Sequence, residues 1–297
     1  MTGRSSSWKR ISGDVPLTQV QKLQYRLNAW VERLLQPIET FPVAVEPYIP
    51  VLDIDRLEKS FGEPVLVASP TRALCFDFIQ EKLPEFFTPG ARILDLGCGY
   101  GLYSRHLNAV LDCADYQGVD IQARPTWEDL TKSGATFREA TLGEHMIDVN
   151  GANCIFTQSV LEHVQFDCSV FGLLKSDEAV EIQHVHFVPA PHSFAEHRYH
   201  GFRRFGPKAI SRLLDDSSIF DVKIYSMGND VTREMYWRQK GKVKTYQTRN
   251  GRLEYLYEQE KSCVENLGLN KEIIVPKNPR EASFYALVFK QHVGSVD

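Results

Sequence analysis

The residues best suited to chemistry in this chain form one short run, Ile93-Leu94-Asp95-Leu96-Gly97-Cys98-Gly99-Tyr100-Gly101. An apolar stretch ends in an acid, three glycines follow at alternate positions, and a helical pattern begins. Glycines in such a strand-to-helix turn let the backbone bend tightly and approach a ligand. A generic turn is the plain alternative, but an acid plus GxGxG directly after ILDL is more specific than a lone GxG. Asp120 closes the next apolar run about 20 residues beyond the glycines, where an acid in this architecture accepts hydrogen bonds from a ribose diol. The same logic would fit a dinucleotide oxidoreductase, with two objections. The glycine order is GxGxG rather than GxGxxG, and Asp95 would repel a pyrophosphate. A ligand carrying positive charge in place of phosphates suits the pattern better.

A second concentration is histidine: His184, His186, His192, His197 and His200, with His163 upstream beside Glu162. His184 and His186 alternate onto one face of a strand. They read as polar residues packed beneath a helix, since no matching carboxylate motif completes a metal site. His192, His197 and His200 lie past that strand's C-terminal end, where open α/β sheets bind ligands. The loop APHSFAEHRYHGFRRFG is therefore expected to line an acceptor pocket. Arg203 and Arg204 in it either bind an acidic group or are solvated helix-entry residues. Tyr199, Phe202 and Phe205 either stack on a ring or seal the loop. Glu162 and His163 either orient the helix after them or supply a general base, for which histidine has the right pKa.

These residues need a scaffold, and the chain alternates strands and helices from residue 91 onward. Strands are expected at 91–97, 115–121, 136–140, 152–159, 180–189, 221–227 and 283–291, with helices at YSRHLNAVL, LEHVQFDCSVFGLL and 207–216. That alternation implies a parallel sheet covered on both faces. Ahead of it, Val20, Leu23, Leu27, Val31 and Leu34 recur at three- and four-residue steps, an amphipathic helix over 17–35. Four prolines in 36–51 suggest an extended linker. Another helix opens at Ser69-Pro70-Thr71, with Ser69 as cap, and ends near Pro84. The first dozen or so residues read as disordered. The stretch from about 230 to 280, longer than a simple connection needs, reads as an inserted cap with a helix through Leu253, Leu256 and Val264.

ILDLGCGYG, GVDI and TQSVLEHV, in that order and spacing, resemble the first, second and fourth motifs of class I S-adenosylmethionine-dependent methyltransferases of the methyltransferase type 11 kind. That broad group includes ubiquinone-pathway and sugar O-methyltransferases. The resemblance covers about residues 69–190 and, more loosely, the final strands. It implies a Rossmann-like α/β sheet of seven strands, the last antiparallel, with an N-terminal helical extension (1–65) on a methyltransferase domain (66–297). It implies S-adenosylmethionine as cofactor, whose ammonium and sulfonium supply the positive charge. Gly97, Cys98, Gly99 and Gly101 would wrap the methionine end and Asp95 help hold its ammonium. Asp120 would take the ribose hydroxyls, Ile121 the adenine face, and Glu139 and Ala140 the adenine edge. Gln158 matches the position whose backbone faces the methionine moiety. Some relatives hold a divalent metal with ExxEH, but Ser159 replaces the first acid here, so no metal is expected. HGFRRF is similar to a stretch after the fifth strand in relatives from polysaccharide gene clusters.

The implied reaction is methyl transfer to a small or carbohydrate-like acceptor, to oxygen rather than nitrogen because histidines stand ready as bases: His163, His192 or His200. Nitrogen transfer and a non-catalytic S-adenosylmethionine-binding protein are the alternatives. Composition agrees with a globular enzyme: 43% hydrophobic and 24% charged residues among 297. With 34 Lys+Arg against 38 Asp+Glu, and no long basic run, a nucleic-acid partner is not expected. Six cysteines without CxxC spacing, no secretory signal and no membrane-length apolar run point to the cytoplasm.

Overall fold

The computed structural model describes residues 6, 10–53, 70–149, 151–195, 199–242, 267–268 and 272–294. Its strands are β1 (Val45–Pro47), β2 (Arg92–Leu96), β3 (Asp115–Asp120), β4 (Thr136–Glu139), β5 (Ile147–Asp148), β6 (Cys154–Gln158), β7 (Leu174–Lys175), β8 (Val180–Pro189), β9 (Ile219–Met227) and β10 (Phe284–Val293). Eight of them form one sheet in the order β1-β9-β10-β8-β6-β2-β3-β4, and β5 pairs with β7 separately. All neighbours in the large sheet are parallel except β10, which runs antiparallel to both β8 and β9. The doubly wound α/β fold implied by the motifs is therefore present, with its antiparallel last strand.

The strand count differs from the expected seven. Part of the proline-rich linker is an eighth, edge strand: β1 pairs with β9, and the Tyr48 amide extends the pairing to the Ser226 carbonyl at 2.9 Å. An edge tolerates Pro47, which has no N–H to donate. Buried Asp77 then holds the chain beyond, accepting from the Tyr48 hydroxyl (2.7 Å) and the amides of Val51 (2.9 Å) and Leu52 (2.6 Å).

The helices are α1 (Gln19–Leu35), α2 (Pro70–Glu81), α3 (Tyr103–Leu111), α4 (Trp127–Lys132), α5 (Pro207–Leu213) and α6 (Asp230–Lys242). One face of the sheet packs Ile93, Phe156 and Phe187 against Leu74, Phe78, Ile79 and Leu107. The other packs Leu94, Ile155 and Leu287 against Leu161, Phe171, Phe205 and Ile210. No helix among the described residues is long and apolar enough to cross a membrane.

The segment after β6 does not form the expected helix. It makes three 3-10 turns, Leu161–His163, Asp167–Ser169 and Phe171–Leu173. The carbonyls of Val164 and Gln165 face the guanidinium of Arg203 and accept from it, which holds this stretch in turns. The N-terminal stretch also departs from expectation. Ser6 is buried, with its amide and hydroxyl donating to Asp167, and the Gly13 amide donates to the Gly201 carbonyl at 2.8 Å. The proposed cap at Ser69, the helix through Leu253, Leu256 and Val264, and His197 lie outside the described residues.

Candidate active site

The glycine loop sits between β2 and α3, at the C-terminal edge of the sheet. Gly97 has φ 76°, and a Cβ there would stand 2.4 Å from the Val160 side chain, so the loop abuts the segment leaving β6. Above Gly99 (φ 53°) there is open space, with nothing within 4 Å of a Cβ position. Asp120 ends the neighbouring strand opposite Glu139, and accepts from the Gly99 amide at 2.8 Å through Oδ2. The Trp127 indole donates to the Gly99 carbonyl at 2.8 Å, fixing the loop from its other side. Ile121, next in sequence, is 68% exposed, and the Ala140 amide donates to the Asp120 carbonyl at 2.9 Å. The glycine loop and the Asp120 carboxylate are thus tied together at the ends of two neighbouring strands.

Asp95 is less open than its position in the motif implies. It is buried and accepts from the Tyr116 hydroxyl at 2.5 Å. Burial pushes its carboxyl up to about 7, assisted by the charge of Asp120 and opposed by the Tyr116 hydrogen bond. A cation nearby would favour its ionised form.

Beside the loop, across Gln158 and Ser159, lies a cavity of about 290 Å³. Ser159 takes φ 54°, in the left-handed region, immediately after β6. Such outliers in non-glycine residues concentrate at functional sites. Arg72 and Cys75 enter from α2, Tyr236 from α6, and Glu162, His200 and Arg204 from the other side. Glu162 is fully buried, and among the described residues neither carboxylate oxygen has a hydrogen-bond partner. Burial raises its pKa, against the charges of His163 and Arg204. A buried, unsatisfied carboxyl is costly and marks a place where a ligand group would be accommodated.

Two of the three candidate bases come together, joined by a residue the sequence reading passed over. Asp14 Oδ2 accepts from His163 Nδ1 at 2.7 Å, while Asp14 Oδ1 stands 3.5 Å from His200 Nδ1. The imidazoles meet edge to face at 4.4 Å between centroids. The Gly201 amide also donates to Asp14, at 3.0 Å. Glu162 Oε1 lies 3.9 Å from Nε2 of His163. Asp14, His163 and His200 each offer a ligand atom within 4.8 Å of the others. His192 is elsewhere: its Nδ1 is 3.5 Å from the Arg233 guanidinium, it does not line the cavity, and burial with Arg233 and Arg33 takes its pKa down to about 4.

Other sequence candidates turn out to be structural. Arg203 is wholly buried and pairs with Asp167 at 2.8 Å, so it is neither solvated nor in the cavity. Arg204 lines the cavity while donating to the His200 carbonyl at 2.7 Å. Phe205 is in the core and Tyr199 packs edge-on against Tyr25, so these rings seal the loop. His184 and His186 are buried among Phe171 and Phe289, with Nδ1 of His184 3.1 Å from Nε2 of His186 and Nδ1 of His186 2.9 Å from the Thr157 hydroxyl. Arg72 and Tyr236 were also missed, because isolated residues in helices carry no local signal.

No protein-family model and no curated protein matches the chain. Solved structures do. Coclaurine N-methyltransferase bound to N-methylheliamine and SAH is 12% identical with a TM-score of 0.48, covering 93% of this chain and 88% of that one. A putative sarcosine dimethylglycine methyltransferase from Galdieria sulphuraria is 13% identical with a TM-score of 0.46, covering 73% and 84%. Phosphoethanolamine N-methyltransferase 2 of Haemonchus contortus, with S-adenosyl-L-methionine, is 13% identical with a TM-score of 0.43, covering 71% of this chain. This chain spans about half (51%) of that protein's length. Likenesses this distant say nothing of the reaction or the acceptor, which rest on the chain's own residues.

Proposed function

We propose that this chain is an S-adenosylmethionine-dependent methyltransferase acting on a small polar acceptor, by transfer to oxygen. The observation that supports it best is the glycine loop after β2, hydrogen-bonded through the Gly99 amide to Asp120 at the end of β3, one strand away from the cavity. When bound, the cofactor supplies an electrophilic methyl on a sulfonium. Asp120 binds a ribose diol through its carboxylate, Ile121 covers one face of the adenine, and Glu139 and Ala140 bound its edge. Gly97, Cys98, Gly99 and Gly101 admit the methionine end, and Asp95 holds its ammonium. Gln158 orients the methionine moiety at the entrance to the cavity.

The cavity takes the acceptor. About 290 Å³ is room for one small molecule, at the low end of ligand pockets, roughly 300–1,000 Å³. Arg72 and Arg204 suit an acidic group on the acceptor. His200 lines the cavity and takes the hydroxyl proton at Nε2, with Asp14 behind Nδ1 to orient the ring and stabilise the imidazolium. His163 acts through Asp14 and is a positioning residue. Most of the rate advantage then comes from alignment and exclusion of water.

Titration calorimetry with S-adenosylhomocysteine tests the cofactor assignment. Wild type binds, and Asp120→Ala loses about 1.5–3 kcal/mol, the worth of hydrogen bonds to a charged group. Unchanged affinity in the variant removes Asp120 from the site.

A further inference from the structure

The apolar stripe of α1 points away from the protein that carries it. Val20, Leu23, Leu27, Trp30 and Leu34 are between 55 and 76% exposed. The opposite side of the helix, Tyr25, Asn28 and Ala29, is buried against the body. The Tyr25 hydroxyl donates toward the carbonyls of His200 (2.9 Å) and Gly201 (3.0 Å), and its ring packs against Phe194 and Tyr199. A capping box at Thr18 and Gln21 fixes the start of the helix. The helix is thus anchored by its less apolar side, with its most apolar side presented outward.

The spacing of the five exposed residues is 3-4-3-4, the seam of a two-stranded coiled coil, in which apolar residues recur every 3.5 positions on average. No charged residue occupies the stripe. Of the flanking cations, Arg26 places its guanidinium over the Tyr199 ring at 5.4 Å. A helix lying on a lipid surface has instead a broad apolar face bordered by outward Lys and Arg. The five residues are each more than half exposed, and Ile38, 78% exposed, extends the stripe past the end of the helix, where a standard interface takes ~800 Å² from each partner. Large exposed apolar patches on isolated proteins mark interaction sites.

We infer that this face is the self-association surface of the protein: α1 pairs with α1 of a second copy, across a two-fold axis. A two-fold contact is self-complementary, so one identical narrow stripe serves both sides. The pairing leaves the cavity residues untouched and is independent of the assignment of the reaction.

Sedimentation of the full chain from about 1 to 100 μM tests it. The wild type runs as a dimer, and Leu27→Glu or Trp30→Glu shifts it to monomer, weakening association at least ~100-fold with the circular dichroism spectrum retained. Leu27 is at the centre of the stripe and meets its own copy in either helix orientation, so Leu27→Cys cross-links into a disulfide dimer under mild oxidation faster than wild type. A wild-type monomer at 100 μM, or no cross-linking above the wild-type level, overturns the proposal. So does a monomer that co-sediments with phosphatidylcholine–phosphatidylserine vesicles, which would make the face a lipid-binding one.

Discussion

The carboxylate of Asp14 meets the imidazole of His163 at 2.7 Å across 149 residues of sequence, and its other oxygen faces His200. A segment ahead of the first helix therefore completes the group beside the cavity. Removing the histidine that lines the cavity should cost more than removing the one behind it. His200→Ala is expected to lower turnover at least about 10²-fold, the lower range for a general base, with S-adenosylhomocysteine affinity near normal. His163→Ala should cost less and shift the pH profile, and His192→Ala should leave turnover within about threefold. Near-wild-type turnover in His200→Ala would make nitrogen attack or proximity alone the better account.

The same pair gives a pH dependence. Burial alone would raise Asp14 and lower His163, but their mutual hydrogen bond and charges reverse both, helped at Asp14 by Gly201 and Ser12 and at His163 by Glu162. Asp14 is held below its ordinary 3.8, so its contribution to stability is present above that value and is lost as pH falls. His163 is held above its ordinary 6.5, so its contribution is complete below 6.5 and is lost as pH rises through the higher folded value. The stability difference between wild type and Asp14→Asn should therefore be largest between pH 4 and 6.5 and shrink toward pH 9. Both side chains are about one-third exposed, so the difference is about 1 kcal/mol or less. Chemical denaturation of both proteins at pH 5.5 and 9 measures it.

The buried ion pair behind the loop has a separate signature. Arg203→Ala leaves Asp167 in the interior without its 2.8 Å partner and frees the carbonyls of Val164 and Gln165. It should destabilise the protein by about 3–5 kcal/mol in urea unfolding. Arg204→Ala should instead act chiefly on the acceptor's KM. A small stability loss in Arg203→Ala would show that water replaces the guanidinium.

Chelation separates two roles for the histidine cluster. Asp14 and His163 engage each other directly, so turnover is expected to survive dialysis against EDTA. Loss of activity restored by zinc would turn Asp14, His163 and His200 into ligands, since three protein donors suffice for a catalytic zinc site.

Local patterns made the glycine-loop side of the proposed site legible. Asp95, the glycines and Asp120 stand at fixed offsets from strand ends, so sequence order alone brings them to one edge. Asp14 was illegible because its partners are fixed by tertiary contact, and a Ser- and Gly-containing context reads as disorder. Arg203 failed for the same reason: Asp167, 36 positions earlier, and the carbonyls of Val164 and Gln165 make burial of its charge tolerable. The periodicity of α1 identified which residues share a face, but periodicity cannot say which side the body occupies. The turns after β6 look helical by composition, and the Arg203 guanidinium that claims their carbonyls comes from another part of the chain.

The strap formed by Gly13 and Asp14 also orders events in time. Its hydrogen-bonding partners, His163 and Gly201, are made long after it. At ~5–20 residues per second, Asp14 waits roughly 7–30 s on the ribosome before His163 is even synthesised. During that interval α1 has neither the body that buries Tyr25 nor the loop that anchors it. The strap thus docks only once residues 163 and 201 exist, and the histidine cluster cannot assemble before then.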